Sequence, residues 1–127
     1  MNTISKFALS AMIGGALGAA VVHGLHAQAK PKAYIVTENE VIDAAAQAAY
    51  TPKIQALQRA AGGRVLGTAG GKIVAFVGEA PKRVAITEWE SLDQAVAFRN
   101  SAAWKDLTPE RDKALKTIRS FAVEVRQ

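Results

Sequence analysis

The chain has 127 residues and a formal net charge of +5; half of its residues are hydrophobic, only 6% are aromatic, and none is cysteine. That length allows one ordinary domain with a core of Ala, Val, Ile and Leu, and the lack of cysteine excludes a disulfide framework and thiolate chemistry. Packing alone must hold such a fold.

The first segment stands apart from the core. Lys6 is followed by an uncharged, mostly apolar run over residues 7–22, and Ala27-Gln28-Ala29 has the small-x-small pattern of a signal-peptidase site. Residues 1–29 therefore read as a secretory signal peptide. A membrane anchor is the competing reading, but the run falls short of the ~20 apolar residues needed to span a bilayer and is diluted by Gly14, Gly15 and Gly18. The expectation is an exported chain, periplasmic or secreted, with residues 30–127 as its one domain and no stable membrane insertion after cleavage. A pI near 9.8 raises nucleic acid as a partner. Export argues against it, and so does the mixing of Glu38, Glu40, Glu88, Glu90 and Glu110 among the bases, so no nucleic acid is expected.

The elements then follow in order. Residues 33–39 (AYIVTEN) read as a first strand. Asp43 is an N-cap, and residues 44–61 form a helix with Ala46, Tyr50, Ile54, Leu57 and Ala61 on one stripe. Pro52 lies inside it, either starting a new segment after Thr51 or kinking a single helix; the kinked helix is the preferred reading. Gly62-Gly63 ends the helix. Residues 64–68 read as a second strand, Gly70-Gly71 as a tight hairpin turn, and residues 72–77 (KIVAFV) as a third strand. In PKRVAITEWESLDQAVAFRNSAAW, residues 81–104, the run from Val84 to Thr87 is a fourth strand, and Ser91 with Gln94 forms a capping box for a second helix ending at Asn100-Ser101. Thr108-Pro109 opens a short helix to about Lys116. Residues 120–126 (SFAVEVR) close the sheet.

The order is β-α-β-β-β-α-(α)-β: the α+β, ferredoxin-like βαββαβ plan with an extra hairpin strand and a short C-terminal helix. The strands do not alternate cleanly between apolar and polar. Tyr34 and Val36 lie opposite Ala33 and Ile35, and Val84 and Ile86 lie opposite Ala85, Thr87 and Trp89. A sheet apolar on both faces needs two covers. Helices make one, and a second subunit's sheet is the simplest other, so a homodimer is expected with Trp89 or Phe121 near the contact.

AYIV at the start of the domain, AAGGRVLG after the first helix and the 81–104 stretch resemble the domain of unknown function 1330 family over residues 32–125. Such proteins are similar to dimeric α+β barrels, in which two ferredoxin-like subunits pack sheet on sheet around a central cavity. The chain departs from the family pattern at Asp43-Ala44-Ala45-Ala46, where members commonly have Asp-Pro-x-x-Tyr. It departs again at Ser101-Ala102-Ala103-Trp104, where they often have Ser-Pro-Glu-Tyr, so any site that needs that Glu and those Tyr hydroxyls is missing here.

Chemistry is sparse. His23 and His26 both fall in the signal segment, which leaves the domain without the usual zinc sites, Ser-His triads or a haem histidine. No phosphate-binding glycine fingerprint is present, and no metal or cofactor is expected. Glu88 and Glu90, two apart on a strand end, read as surface carboxylates before an acid/base pair. The candidate ligand-binding residues are Tyr34, Arg64, Glu88, Trp89, Asn100 and Trp104; no catalytic residue is assigned. Arg64 begins the second strand and Glu88 ends the fourth, which permits an ion pair, while the aromatics line an apolar pocket. The expected function is an exported homodimeric binding or interaction module for a small organic ligand. A cofactor-independent oxygenase or isomerase on a small aromatic or polyketide-like substrate is the alternative, weakened by the lack of a histidine base.

Overall fold

The computed structural model describes residues 30–126, so the expected signal peptide lies outside the described residues. Strand β1, Ala33–Val41, leads to helix α1, Ala44–Ala60, and then to a two-residue strand β2, Arg64–Val65. Strand β3, Arg83–Trp89, is followed by three helices, α2 (Leu92–Asn100), α3 (Ala102–Asp106) and α4 (Thr108–Ala114), and by strand β4, Leu115–Glu124. The four strands lie in the order β2-β3-β1-β4, and every neighbouring pair is antiparallel. Strands β1 and β2 therefore run parallel with β3 between them, and β3 and β4 run parallel with β1 between them. Two interleaved split β-α-β units of this kind are the ferredoxin-like plan.

Local signals explain the helix starts. The Asp43 carboxylate accepts from the Ala46 amide at 2.9 Å, and the Ser91 hydroxyl accepts from the Gln94 amide at 3.1 Å. Gln94 completes the box one residue early, its Oε1 accepting from the Glu90 amide at 2.8 Å. Helix α1 is a single helix that runs through Pro52. Ala48, whose carbonyl proline leaves without its usual donor, is exposed, as is Pro52 itself.

The core lies between the helices and one sheet face, built on Ile35, Tyr50, Ile54, Trp89, Ala95, Phe98, Ala114 and Leu115. Trp89 stacks on Phe98 with ring centroids 4.8 Å apart, and Phe98 meets Trp104 at 5.5 Å. Two glycines admit this packing. Gly62 turns the chain at φ 93°, a left-handed conformation that L side chains avoid, and a Cβ on Gly63 would stand 2.7 Å from the Trp89 ring.

Five expectations are corrected. The extra hairpin strand does not form. Residues 66–68 bond to β3 instead: the Leu66 amide donates to the Ile86 carbonyl, and the Thr68 hydroxyl accepts from the Ile86 amide. Residues 72–77 then run without a covering layer, with Phe76 and Val77 almost fully exposed; a ribbon with no core to face is marginal as a strand. The second strand accordingly shrinks from the expected 64–68 to Arg64–Val65. Thr108 is not a side-chain cap, because α4 is preceded directly by α3 and the Thr108 hydroxyl accepts from Arg111 instead. Trp89 is 1% exposed on the helix face and stands in the core, away from any sheet-to-sheet contact. Strand β4 also begins five residues before the expected 120, with a register shift opposite Glu38 and Asn39 where the skipped Ile118 bulges.

Candidate functional site

Two groups of polar side chains are built on opposite faces of the sheet. The first is on the open face. The pairing of β2 with β3 sets Arg64 directly opposite Glu88, and the pairing of β1 with β3 sets Tyr34 opposite Glu88 from the other side. The Glu88 carboxylate, its side chain 11% exposed, accepts from Arg64 Nη2 at 3.0 Å and Nε at 3.3 Å, from Tyr34 Oη at 2.7 Å and from Lys32 Nζ at 3.2 Å. Those donors, Arg64 first and then Tyr34 and Lys32, hold the carboxyl down to about 2 against the opposing effect of burial. The same bonds raise the Tyr34 phenol and the Arg64 and Lys32 cations above their ordinary values. Glu88 is thus a fixed anion with its donors in place, and a poor proton acceptor near neutral pH.

The remaining sequence candidates do not join it. Trp89 points to the helix side, where its indole N–H donates to the Thr87 hydroxyl at 2.8 Å. Asn100 is exposed at the end of α2. Trp104, on α3, belongs to the second group.

That second group lines a cleft of about 370 Å³ between α1 and the helix face of the sheet. Alternation along β3 turns Arg83, Ala85 and Thr87 to this side, and Thr37 and Asn39 face it from β1. Tyr50 and Ile54, one helical turn apart, supply its α1 wall. Arg99 shares the inward stripe of α2 with Ala95 and Phe98, and Arg111 reaches in from α4.

Four arginines line the cleft: Arg59, exposed on α1, donates to the Gln55 side chain at 3.4 Å, and the partners of the other three are all neutral. Arg83 Nη1 donates to the Asn39 side-chain carbonyl at 2.8 Å. Arg99 Nη2 donates to the Thr37 and Ser120 hydroxyls at 3.1 and 2.8 Å, two residues that face each other across β1 and β4 and share a 2.8 Å hydrogen bond. Arg111 Nε donates to Tyr50 Oη at 3.1 Å, and its Nη2 to the Trp104 carbonyl at 2.8 Å. The Trp104 ring receives both cations, with the Arg111 guanidinium 3.5 Å and the Arg99 guanidinium 4.1 Å from its centroid. Every residue that lines the cleft is uncharged or cationic. Burial lowers the Arg99 and Arg83 guanidiniums below their ordinary values, and for Arg99 the Arg111 charge adds to the effect. Arg99 Nε is buried without a hydrogen-bond partner.

None of these arginines is among the sequence candidates. The available signal was helical spacing: Arg99 and Arg111 have no acidic residue three or four positions away, unlike a solvated, paired surface arginine. Among the described residues, no group of His, Cys, Asp and Glu is placed to hold a metal ion, and no helix is long and apolar enough to cross a membrane.

Comparison with known proteins agrees with this fold. The profile of the family described as Domain of unknown function (DUF1330) matches residues 32–125. The crystal structure of RPA0582, a protein of unknown function from Rhodopseudomonas palustris, is similar with a TM-score of 0.60 at 17% identity, covering 85% of this chain and 93% of that one. The methylated form of RPA0582 gives a TM-score of 0.58 at 17% identity, with 85% and 91% covered. No curated protein matches the chain.

Proposed function

The chain belongs to the Domain of unknown function (DUF1330) family, and from its own geometry we propose that it is a homodimeric binding module that takes a small organic ligand into the cleft between α1 and the sheet. The observation that carries this reading is the cleft itself: about 370 Å³, walled by Tyr50, Ile54 and Trp104, with a few polar groups converging from the strands. Apolar walls with a small number of fixed polar groups are what small-molecule sites are made of. The held-down Glu88 carboxyl supports binding over turnover, because a general base works best with a pKa near the operating pH.

The dimer in this proposal forms through the open sheet face. Phe121 and Val123 of β4 are about half exposed there, beside Val36 and Ile86. The charges on that face are already paired within one subunit, Glu88 with Arg64 and Lys32, and Glu38 with Arg119 at 2.7 Å. Such a face meets a copy of itself without unpaired charge, as a two-fold interface requires. The cleft lies on the other side of the sheet and stays open in that assembly. The reading keeps the chain an exported one, on the strength of the signal-like residues 1–29, and processed protein should begin at Lys30 by intact mass.

Native mass spectrometry of the protein recovered from its own host tests the binding reading. A small organic adduct, released when Ile54→Trp fills the cleft, is the expected result. An adduct that survives Ile54→Trp places the ligand elsewhere.

A further inference from the structure

We infer that the ligand of this cleft is an organic anion, a small carboxylate with an apolar body, held by Arg99 with Arg83 and Arg111. The inference rests on the reading of the cleft as a ligand site and adds the charge of the occupant. Four arginines line one cavity; Arg59 is exposed on α1, and the hydrogen bonds of Arg83, Arg99 and Arg111 go to hydroxyls, an amide oxygen or a backbone carbonyl. Buried cations in proteins are normally paired, because taking an ion out of water without a counter-charge is costly. Among the described residues none that lines the cleft is a carboxylate, although five other cations, Lys32, Lys53, Arg64, Lys82 and Arg119, are paired with Glu side chains. A bound anion supplies the missing counter-charge.

The cleft also indicates the kind of anion. Trp104 sits against two of the guanidiniums, and Tyr50 and Ile54 extend the wall. A carboxylate head meets planar N–H donors suited to it, and an apolar body fills the aromatic side. A free inorganic anion would use the first feature and leave the second idle. Arg99 Nε is an unspent donor beside this space, and an anion in the cleft compensates the cluster whether or not it bonds that atom directly.

The test is isothermal titration of the full chain at low salt with benzoate, with its neutral isostere benzamide, and with inorganic phosphate. The expected result is benzoate binding at least about tenfold more tightly than benzamide, as charge-assisted bonds require, and more tightly than phosphate. That preference should vanish in Arg99→Met and in Arg83→Gln, the second of which retains a side-chain donor for Asn39 and serves if the first does not fold. Equal binding of benzoate and benzamide overturns the anion and leaves the cleft as a ligand site. Phosphate binding more tightly than benzoate overturns the organic body. No binding of any probe overturns both readings, and a benzoate preference that survives both substitutions places the anion outside the cleft.

Discussion

The two faces of this sheet handle charge in opposite ways. On the open face one carboxylate, Glu88, has three side-chain donors around it, and its charge is more than met by its neighbours. On the helix face Arg83, Arg99 and Arg111, with the more exposed Arg59, share a cleft whose described lining holds no carboxylate. Both are clusters of polar groups at strand positions, and Glu88 and Thr87 are adjacent in one strand. The difference teaches that a charged cluster is informative through what it lacks. The complete cluster ties strands β1, β2 and β3 together. The other cluster is a set of guanidiniums whose hydrogen-bond partners are neutral.

Removing the wall behind both regions should have the largest effect. Trp89 follows Glu88 in β3 and packs in the core on Phe98. Trp89→Ala should cost about 3–5 kcal/mol in a denaturant titration, the usual range for deleting a buried aromatic. Because it loosens both faces together, it sets the scale for packing against which the charge effects are read. Gly63→Ala presses on the same ring from the other side and should cost about 1–3 kcal/mol as an overpacked contact.

The charge substitutions sharpen the contrast. Arg99→Met forfeits hydrogen bonds to two hydroxyls that still bond each other, and a cation–π contact, but it also removes a half-buried charge that repels Arg111. Its net effect on the unliganded protein should stay within about 1 kcal/mol of the parent, in either direction. Glu88→Gln should lower the melting temperature by more than Arg99→Met does, because it leaves Lys32 and Arg64 side by side without their anion. Equal melting temperatures would erase the distinction between the two regions.

The smallest effect is a pH dependence. Glu88 has a folded value of about 2 against an ordinary 4.5. Its contribution is therefore fully present above about 4.5 and is lost as the pH falls from there towards 2. In Arg64→Ala the folded value should rise, because the largest cause of the depression is gone, while Tyr34 and Lys32 hold part of it. A carboxyl titration of Glu88 by NMR should show this rise, and the variant should lose less stability than the parent between pH 5 and pH 2. An unmoved Glu88 titration would mean that the Arg64 contact contributes nothing in solution.

Much of the fold was legible in the residues. The caps at Asp43 and Ser91 and the helix end at Gly62-Gly63 led to the right plan, because each is a local signal whose partner lies within a few positions. The hairpin of residues 72–77 was misread for the same reason. Its β-branched run is a local signal, whereas strand formation depended on a distant fact, that Leu66 and Thr68 are already bonded to β3. The candidate site divides along the same line. Arg64 and Glu88 were visible as a strand-borne pair of opposite sign. The cleft was not, since Arg83, Arg99 and Arg111 come from three separate elements and are distinguished by missing partners, which only the packed structure locates.

One measurement addresses the difference between the faces directly: the side-chain Nε–H resonances of the arginines, followed by NMR as benzoate is added. The Arg99 and Arg111 signals should move with saturation while that of Arg64, whose Nε–H is already bonded to Glu88, stays in place. Movement of Arg64 with Arg99 unmoved would contradict the account, and would make the open face, with Glu88 displaced, the site of the anion.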